Sequence, residues 1–455
     1  MRSFRWLITT VVVVLGVAAI AIAIGAISLN SYIHSPGFKD EVASRASQSI
    51  GSPVQVDGID FDVWHGIKLR GFVTQIDASR TGGQGALKVN VAQVNCSYSL
   101  WDLLAWKLRL TGIVLDQPQI LLTKQPTEPL QTAPAPGDNT SAATPGSPAT
   151  GAPASSGALF QFVLDRVKVN NGSLSVLDAS GEPTVALQGV NASADTSGYT
   201  DGKDVTGSLR VAQVSASGLQ VTNFSTPFTY HTNYLAAKPF DATAFNGRLA
   251  GDFLMDGTAG PSVLNLNGNS LDVAQLTAAT SSGSSAHLTG SLDFQSKWRG
   301  AESGDQYGEG DAQLTNGQLQ SVKIFEDVGN ILHIDELKAP LISKATTHFT
   351  VQNRVVTFTG LQLTSTLFSM TGNGTVGFDS SLNANLVLIL TQSAMGRLPK
   401  QLAASFVQQP DGTGSIGFQV SGTTSNPSTN LPEKLLMQNI QIKNVINKAL
   451  KSFFH

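Results

Sequence analysis

The chain has 455 residues, of which 13% are charged, and its formal net charge at pH 7 is −3. This charged share is about half of the roughly 25% that is usual for globular domains. The charges form neither a basic block nor an acidic tail, which argues against a nucleic-acid partner because phosphate binding requires clustered Lys and Arg. Cys96 is the single cysteine, so an intrachain disulfide is excluded, and a small buried apolar residue is the favoured interpretation.

The most apolar segment lies near the N-terminus. Residues 6–29 contain neither a charge nor a proline, and as a helix they would extend roughly 36 Å, enough to cross a hydrocarbon core. Because Arg2 and Arg5 precede this segment, the positive-inside rule predicts a cytoplasmic tip and an exported body, with residues 1–30 as tip and anchor. A signal peptide cleaved within the Ala-rich stretch 18–26 is the alternative, although its apolar core is usually shorter. The predicted anchor residues are Trp6, Leu7, Val14, Ile20, Ile27 and Leu29.

The segment 31–123 begins with a helical pattern and continues as strands. Ser35-Pro36 is typical of a helix start, and apolar residues recur every four positions from Phe38 to Ile50. Alternating apolar residues then predict strands as far as Leu122. Residues 124–157 consist mainly of Pro, Ala, Thr, Gly and Ser, so we expect a disordered linker or long loop there.

Residues 158–430 repeat one pattern, in which short strands are separated by turns every roughly 8–15 residues. Asn171-Gly172 and Asn316-Gly317 are interpreted as hairpin turns between such strands. Residues 321–333 carry apolar residues at helical spacing, which predicts a helix within a long antiparallel meander. The strand from Leu382 to Leu390 is apolar on both faces, so both faces require cover.

The last segment, 431–455, returns to a helical pattern. Its apolar stripe predicts an amphipathic helix that includes Leu435, Ile442 and Phe453. Packing against the end of the sheet is the favoured interpretation, and docking to a membrane surface or a partner is the alternative.

No motif of the chain predicts catalysis. Residues 372–377 and 412–417 match the loose dinucleotide pattern GxGxxG, but each is followed by a strand-like sequence rather than by a helix. The seven histidines have no metal-ligand spacing, and neither a GxSxG elbow nor a Cys-His pair of known spacing occurs. We therefore expect neither an enzyme nor a bound metal or cofactor.

Two regions of the chain carry short motifs in a characteristic order. After the anchor and the helix, the N-terminal region contains PGFKDEV (36–42), GSPVQV (51–56), SLWDLL (99–104) and PQILL (118–122). The region of about 305–425 contains LTNGQL (314–319), FTV (349–351), LQLTS (361–365) and GNGTV (372–376). The first region resembles the start of AsmA-like proteins of the diderm bacterial envelope, and the second resembles their C-terminal part.

The resemblance implies a relative of the chorein-like bridging proteins, to which the TamB group also belongs. It implies a mainly β fold, with an N-terminal transmembrane helix and an elongated, curved antiparallel sheet. The apolar groove of that sheet would carry phospholipid or another acyl-chain lipid in outer-membrane and envelope biogenesis. It also implies location in the inner membrane with a periplasmic body, and a protein partner in the outer membrane or periplasm. The predicted groove-lining residues are Val356, Phe358, Leu361, Leu363, Leu386, Leu388 and Leu390.

Two alternatives remain open from the residues alone. An ordinary two-sheet sandwich would bury the same apolar residues in a closed core. A non-enzymatic scaffold or surface protein would use its β domains to bind protein partners without lipid.

Overall fold

The computed structural model describes residues 47, 52–62, 66–76, 85–99, 109–123, 163–199, 202–216, 218–257, 262–280, 287–300 and 306–435. The described chain is mainly β, with 22 strands and a few short helices, and it separates into two compact units at residue 218. The predicted anchor, the segment 124–157 and residues 436–455 of the predicted last helix lie outside the described residues, as does the predicted helix after the anchor apart from Ser47. No helix within the described part is both long and apolar enough to cross a membrane.

The N-terminal unit contains the first nine strands. Both β1 and β2 pair with β3, and β3, β4 and β5 then follow as antiparallel neighbours. β7, β8 and β9 are likewise antiparallel. The strands are β1 (Val54–Gln55), β2 (Gly58–Asp62), β3 (Gly66–Ile76), β4 (Ala86–Tyr98), β5 (Arg109–Thr123), β6 (Val163–Leu164), β7 (Arg166–Leu177), β8 (Pro183–Asp195) and β9 (Val205–Ala216).

One pairing in this unit departs from the predicted antiparallel order. β5 lies parallel to β6 and β7, with Ile113 opposite Val167 and Leu122 opposite Val176. Parallel neighbours require a crossover connection of a dozen or more residues. The segment from 124 to 162 therefore joins two strands that lie side by side in the same unit.

The C-terminal unit contains thirteen strands among its described residues. β10 to β19 pair in chain order as an antiparallel meander, β21 pairs with β19, and β20 and β22 pair with β21. The strands are β10 (Leu219–His231), β11 (Tyr234–Ala244), β12 (Gly247–Asp256), β13 (Ser262–Asp272), β14 (His287–Gly300), β15 (Gln306–Gln320), β16 (Leu341–Gln352), β17 (Val355–Ser365), β18 (Phe368–Gly377), β19 (Ser381–Leu390), β20 (Val407–Gln408), β21 (Gly414–Thr423) and β22 (Pro427–Thr429).

The helices among the described residues of the C-terminal unit are short. The predicted helix within the meander is present as α2, and residues 431–435 are also helical. The helices are α1 (Val273–Thr280), α2 (Lys323–Leu332), the 3₁₀ turn Asp335–Leu337, α3 (Gln392–Met395) and α4 (Lys400–Ala403).

The two Asn-Gly pairs interpreted as hairpin turns are β-bulges instead. β7 runs through Asn171 and β15 runs through Asn316, with φ angles of 49° and 51° at these residues. A residue in the left-handed region inserts one extra position into a strand without reversing its direction. Two-residue turns with positive φ at both positions do occur elsewhere, at Phe245-Asn246 and Asn353-Arg354.

Each unit has a closed hydrophobic core on one face of its strands. In the N-terminal unit, Val89, Val94, Cys96 and Ile113 are each 1% exposed. In the C-terminal unit, the core lies between β16–β21 and the short helices. Its most deeply buried side chains, each at 0% exposure, are Leu332, Leu390, Ala394 and Leu431.

Candidate functional site

An apolar face that belongs to neither core crosses six strands of the C-terminal unit. Residues opposite one another in the antiparallel pairs lie on the same face, so the register places Phe253, Leu264 and Trp298 in one row across β12, β13 and β14. All large apolar side chains of this face from β10 to Leu314 of β15 lie outside both cores, and most are half-buried. We call the half-buried set the open face: Phe224, Phe228, Tyr230, Leu235, Leu249, Phe253, Met255, Leu264, Leu266, Leu292, Phe294, Trp298 and Leu314.

The opposite face of the same strands is mainly polar, although Leu254 and Val263 form an apolar pair on it. One row across it consists of Asp252, Asn265, Lys297, Glu309 and Thr350. The alternation of apolar and polar residues is typical of an antiparallel sheet with one face in water and one face covered. The pattern of the open face therefore indicates that this face requires an apolar cover.

The polar atoms on the open face are bonded within the protein. The indole Nε1 of Trp298 donates to Oγ of Ser296 at 2.9 Å, and Ser296 Oγ in turn donates to the carbonyl of Leu266 at 3.3 Å. The hydroxyl of Tyr230 donates to the carbonyl of Thr232 at 2.9 Å. Because these groups are satisfied internally, the face offers an occupant hydrocarbon contact rather than hydrogen bonds.

Glycines on this side of the sheet lie beneath aromatic rings. Each is directly opposite its aromatic partner on the neighbouring strand. A Cβ built on any of the five glycines would come within 2.3 to 2.9 Å of the ring. An aromatic ring that covers a cross-strand glycine packs flat against the backbone, so it rises little above the surface of the sheet. The pairs are Phe240 with Gly251, Phe294 with Gly268, Trp298 with Gly308, Phe349 with Gly310 and Phe358 with Gly374.

The helices lie at one end of the strands. In a meander every second connection emerges on the same side, and here the β13–β14, β15–β16 and β19–β20 connections share one side and carry α1 to α4. The connections on the other side, from β10–β11 to β18–β19, are at most five residues long. The open face therefore has α1 and α2 on one side of its strands and short connections on the other.

The predicted groove residues separate into two groups. Val356, Phe358 and Leu361 are half-buried. The other four lie in the closed core beneath the helices, where Leu363 is 7%, Leu386 8%, Leu388 1% and Leu390 0% exposed. The cover expected over this face of β19 is thus supplied by protein, while Val387 on the opposite face is 38% exposed.

Sequence reasoning missed the open face because residues 224–300, which hold most of it, carry none of the motifs on which the resemblance rests. The signal present there is an alternation in which aromatic or aliphatic residues share one face with glycines, as in Leu264, Leu266 and Gly268. The sequence predicts short strands and turns throughout residues 158–430, and this prediction does not separate the open face from the rest of the meander.

The described residues hold no catalytic arrangement that we recognise. No group of three His, Cys, Asp or Glu side chains among them is placed to hold a metal ion. Burial raises the pKa of the Cys96 thiol, which keeps it protonated and unreactive. The pattern at 372–377 lies inside β18 and leads into β19 rather than a helix.

Among the carboxylates with lowered pKa values, Asp178 and Asp411 stabilise turns. The pKa of Asp178 is lowered by hydrogen bonds from the Ser180 hydroxyl and from the backbone amides of Glu182 and Ser180. The pKa of Asp411 is lowered in the same way by the amide and hydroxyl of Thr413. Such contacts stabilise local turns, and they give these side chains a structural role.

Comparison with known proteins gives no match. No family model, no curated protein and no solved structure matches the chain.

Proposed function

We propose that this protein holds phospholipid, or another acyl-chain lipid, on the open face and helps to move it within a bacterial envelope. The observation that carries the proposal is the open face itself, since it is apolar, half-buried and outside both cores. A contiguous apolar face that is not covered by a core is typical of an interaction site. An occupant is needed, and hydrocarbon suits a face whose polar atoms are already bonded within the chain.

The magnitude of such binding is adequate for a carrier. Burial of one methylene contributes about 0.8 kcal/mol. If half of the methylenes of an acyl chain of about sixteen carbons contact the open face, the gain is roughly 6 kcal/mol. That gain permits both uptake and release, which a transfer protein requires.

The proposed location follows from the sequence. Residues 6–29 would anchor the chain in the inner membrane, with the tip in the cytoplasm and the body in the periplasm. The partners would be that membrane, the lipid and a protein at the far side. The resemblance to AsmA-like proteins supports the same assignment.

A matched pair of variants on β13 tests the proposal. Leu264→Asp places a charge on the open face, whereas Asn265→Asp places the same charge on the polar face of the same strand. The full chain, purified in detergent, is incubated with vesicles of phosphatidylethanolamine and phosphatidylglycerol that contain a fluorescent phospholipid, and is then separated from them. We expect the wild type and Asn265→Asp to retain labelled lipid and Leu264→Asp to lose most of it, because a buried unpaired charge is strongly unfavourable.

Circular dichroism of both variants establishes that the sheet is intact. If the wild type retains no labelled lipid, or if both Asp variants retain it equally, the open face is not a lipid site. Co-purification of a stoichiometric protein partner by a lipid-free wild type would instead favour the scaffold alternative.

A further inference from the structure

Two aromatic rings of the open face lie on β14. Phe294 and Trp298 are four residues apart on the same face of the strand, which corresponds to roughly 13 Å. Phe294 covers Gly268 of β13, and Trp298 covers Gly308 of β15. Both rings are half-buried and outside the closed cores.

The space above these two glycines is occupied by side chains alone. A Cβ at Gly308 would lie 2.5 Å from Trp298 Cε3, and its three nearest atoms all belong to that indole. A Cβ at Gly268 would lie 2.3 Å from Phe294 Cε1. Neither glycine has positive φ, so an added methyl group would displace the ring rather than strain the backbone.

The indole of Trp298 is held in its flat orientation by a polar pair. Its Nε1 donates to Ser296 Oγ at 2.9 Å, and Ser296 is only 8% exposed although it lies on an apolar face. A serine is unusual at such a position unless it satisfies a neighbour. By accepting this hydrogen bond, Ser296 satisfies the one polar group of Trp298, so the ring offers an occupant an apolar surface.

We propose that Phe294 and Trp298 form the platform on which an acyl chain of the cargo rests. Gly268 and Gly308 determine this binding because they keep both rings flat against the sheet. The inference rests on the proposed lipid-carrying function and adds the position of the chain and the residues that select for it. A methyl group beneath a ring would raise that ring. The raised ring would obstruct the acyl chain, and the flat contact between ring and chain would be lost.

Tryptophan fluorescence locates the chain directly. The full chain, which has five tryptophans, is loaded from vesicles of phosphatidylcholine brominated near the middle of its acyl chains, and is then separated from the vesicles. Bromine quenches tryptophan only at short range. We expect the tryptophan fluorescence of the wild type to be lower with brominated lipid than with unbrominated lipid. In Trp298→Phe the largest part of this difference should disappear.

Glycine variants test the role of the flat rings. Gly308→Ala is expected to weaken retention of the brominated lipid about tenfold, the equivalent of two lost methylene contacts. Gly417→Ala is the matched control, since this strand glycine lies on the other face of β21 and its nearest neighbour to a built Cβ is 3.9 Å away. The double variant Gly308→Ala/Trp298→Leu removes the displaced ring and should regain most of the retention, which separates a raised ring from a misfolded sheet.

Each outcome has a distinct meaning. Quenching assigned to Trp298, together with loss in Gly308→Ala and recovery in the double variant, supports the platform. Lipid retained by the wild type with quenching unchanged in Trp298→Phe, or with Gly308→Ala equal to Gly417→Ala, overturns the platform and leaves the lipid-carrying function standing. A wild type that retains no lipid overturns both.

Discussion

The free-energy cost of truncating a leucine should differ sharply between the closed core and the open face. Leu388 is 1% exposed and lies beneath the helices, where it is directly opposite Met370 and Ile416. Leu388→Ala would leave an enclosed cavity, at a cost of about 2–5 kcal/mol in unfolding free energy. Leu264 is half-buried on the open face. Leu264→Ala leaves no enclosed cavity, so we expect a loss of only about 1 kcal/mol.

Urea denaturation followed by far-ultraviolet circular dichroism measures this difference. The protein is first stripped of lipid by detergent exchange, because a ligand bound to the open face would add its own stabilisation to the native state. Asn265→Ala, on the polar face, provides the baseline for a surface change on the same strand. Equal costs for Leu388→Ala and Leu264→Ala would refute the reasoning, since they would place Leu264 in a closed core such as that of a two-sheet sandwich.

Three further predictions follow from single contacts. Cys96, which is 1% exposed and has a raised pKa, should not react with a thiol reagent in the native protein and should react fully in denaturant; rapid native labelling would contradict its burial. Ser405 is 0% exposed and its hydroxyl donates to the carbonyl of Leu435 at 2.9 Å, so Ser405→Ala should cost about 1 kcal/mol in urea denaturation, and an unchanged midpoint would show that this bond is not formed. The pKa of Asp178 is lowered in the folded protein, so the contribution of its carboxylate is present at pH 7 and is lost as the pH falls through the folded-state pKa. Asp178→Asn should therefore destabilise the protein at pH 7 and progressively less as the pH falls below about 4; a difference that grows on acidification would have the wrong sign.

The periodic parts of the fold could be predicted from the sequence. The helical spacing of Phe325, Val328 and Leu332 predicts α2, and the structure has α2 at Lys323–Leu332 with all three residues buried. The alternation from Leu382 to Leu390 predicts β19, which spans Ser381–Leu390. These patterns depend on local periodicity, which the sequence contains in full.

The remaining features depend on partners that are distant in the chain. Asn316, Asn353 and Arg354 all adopt positive φ. Asn316 lies in a bulge of β15, whereas Asn353 and Arg354 form the turn between β16 and β17. Local preference allows both, and the register with the neighbouring strand decides. In the same way, nothing local to Leu388 or Leu264 indicates that helices cover the first and not the second. Four of the seven residues that were predicted to line the groove therefore lie in a closed core.

Native mass spectrometry of the full chain, combined with lipid extraction, tests the central claim most directly. The protein is released from purified membranes in mild detergent, and the mass of the intact complex is compared with that after extraction. We expect a mass difference equal to one or more phospholipids, present in the wild type and in Asn265→Asp and absent in Leu264→Asp. A stably folded wild type whose mass equals that of the polypeptide alone would contradict the account.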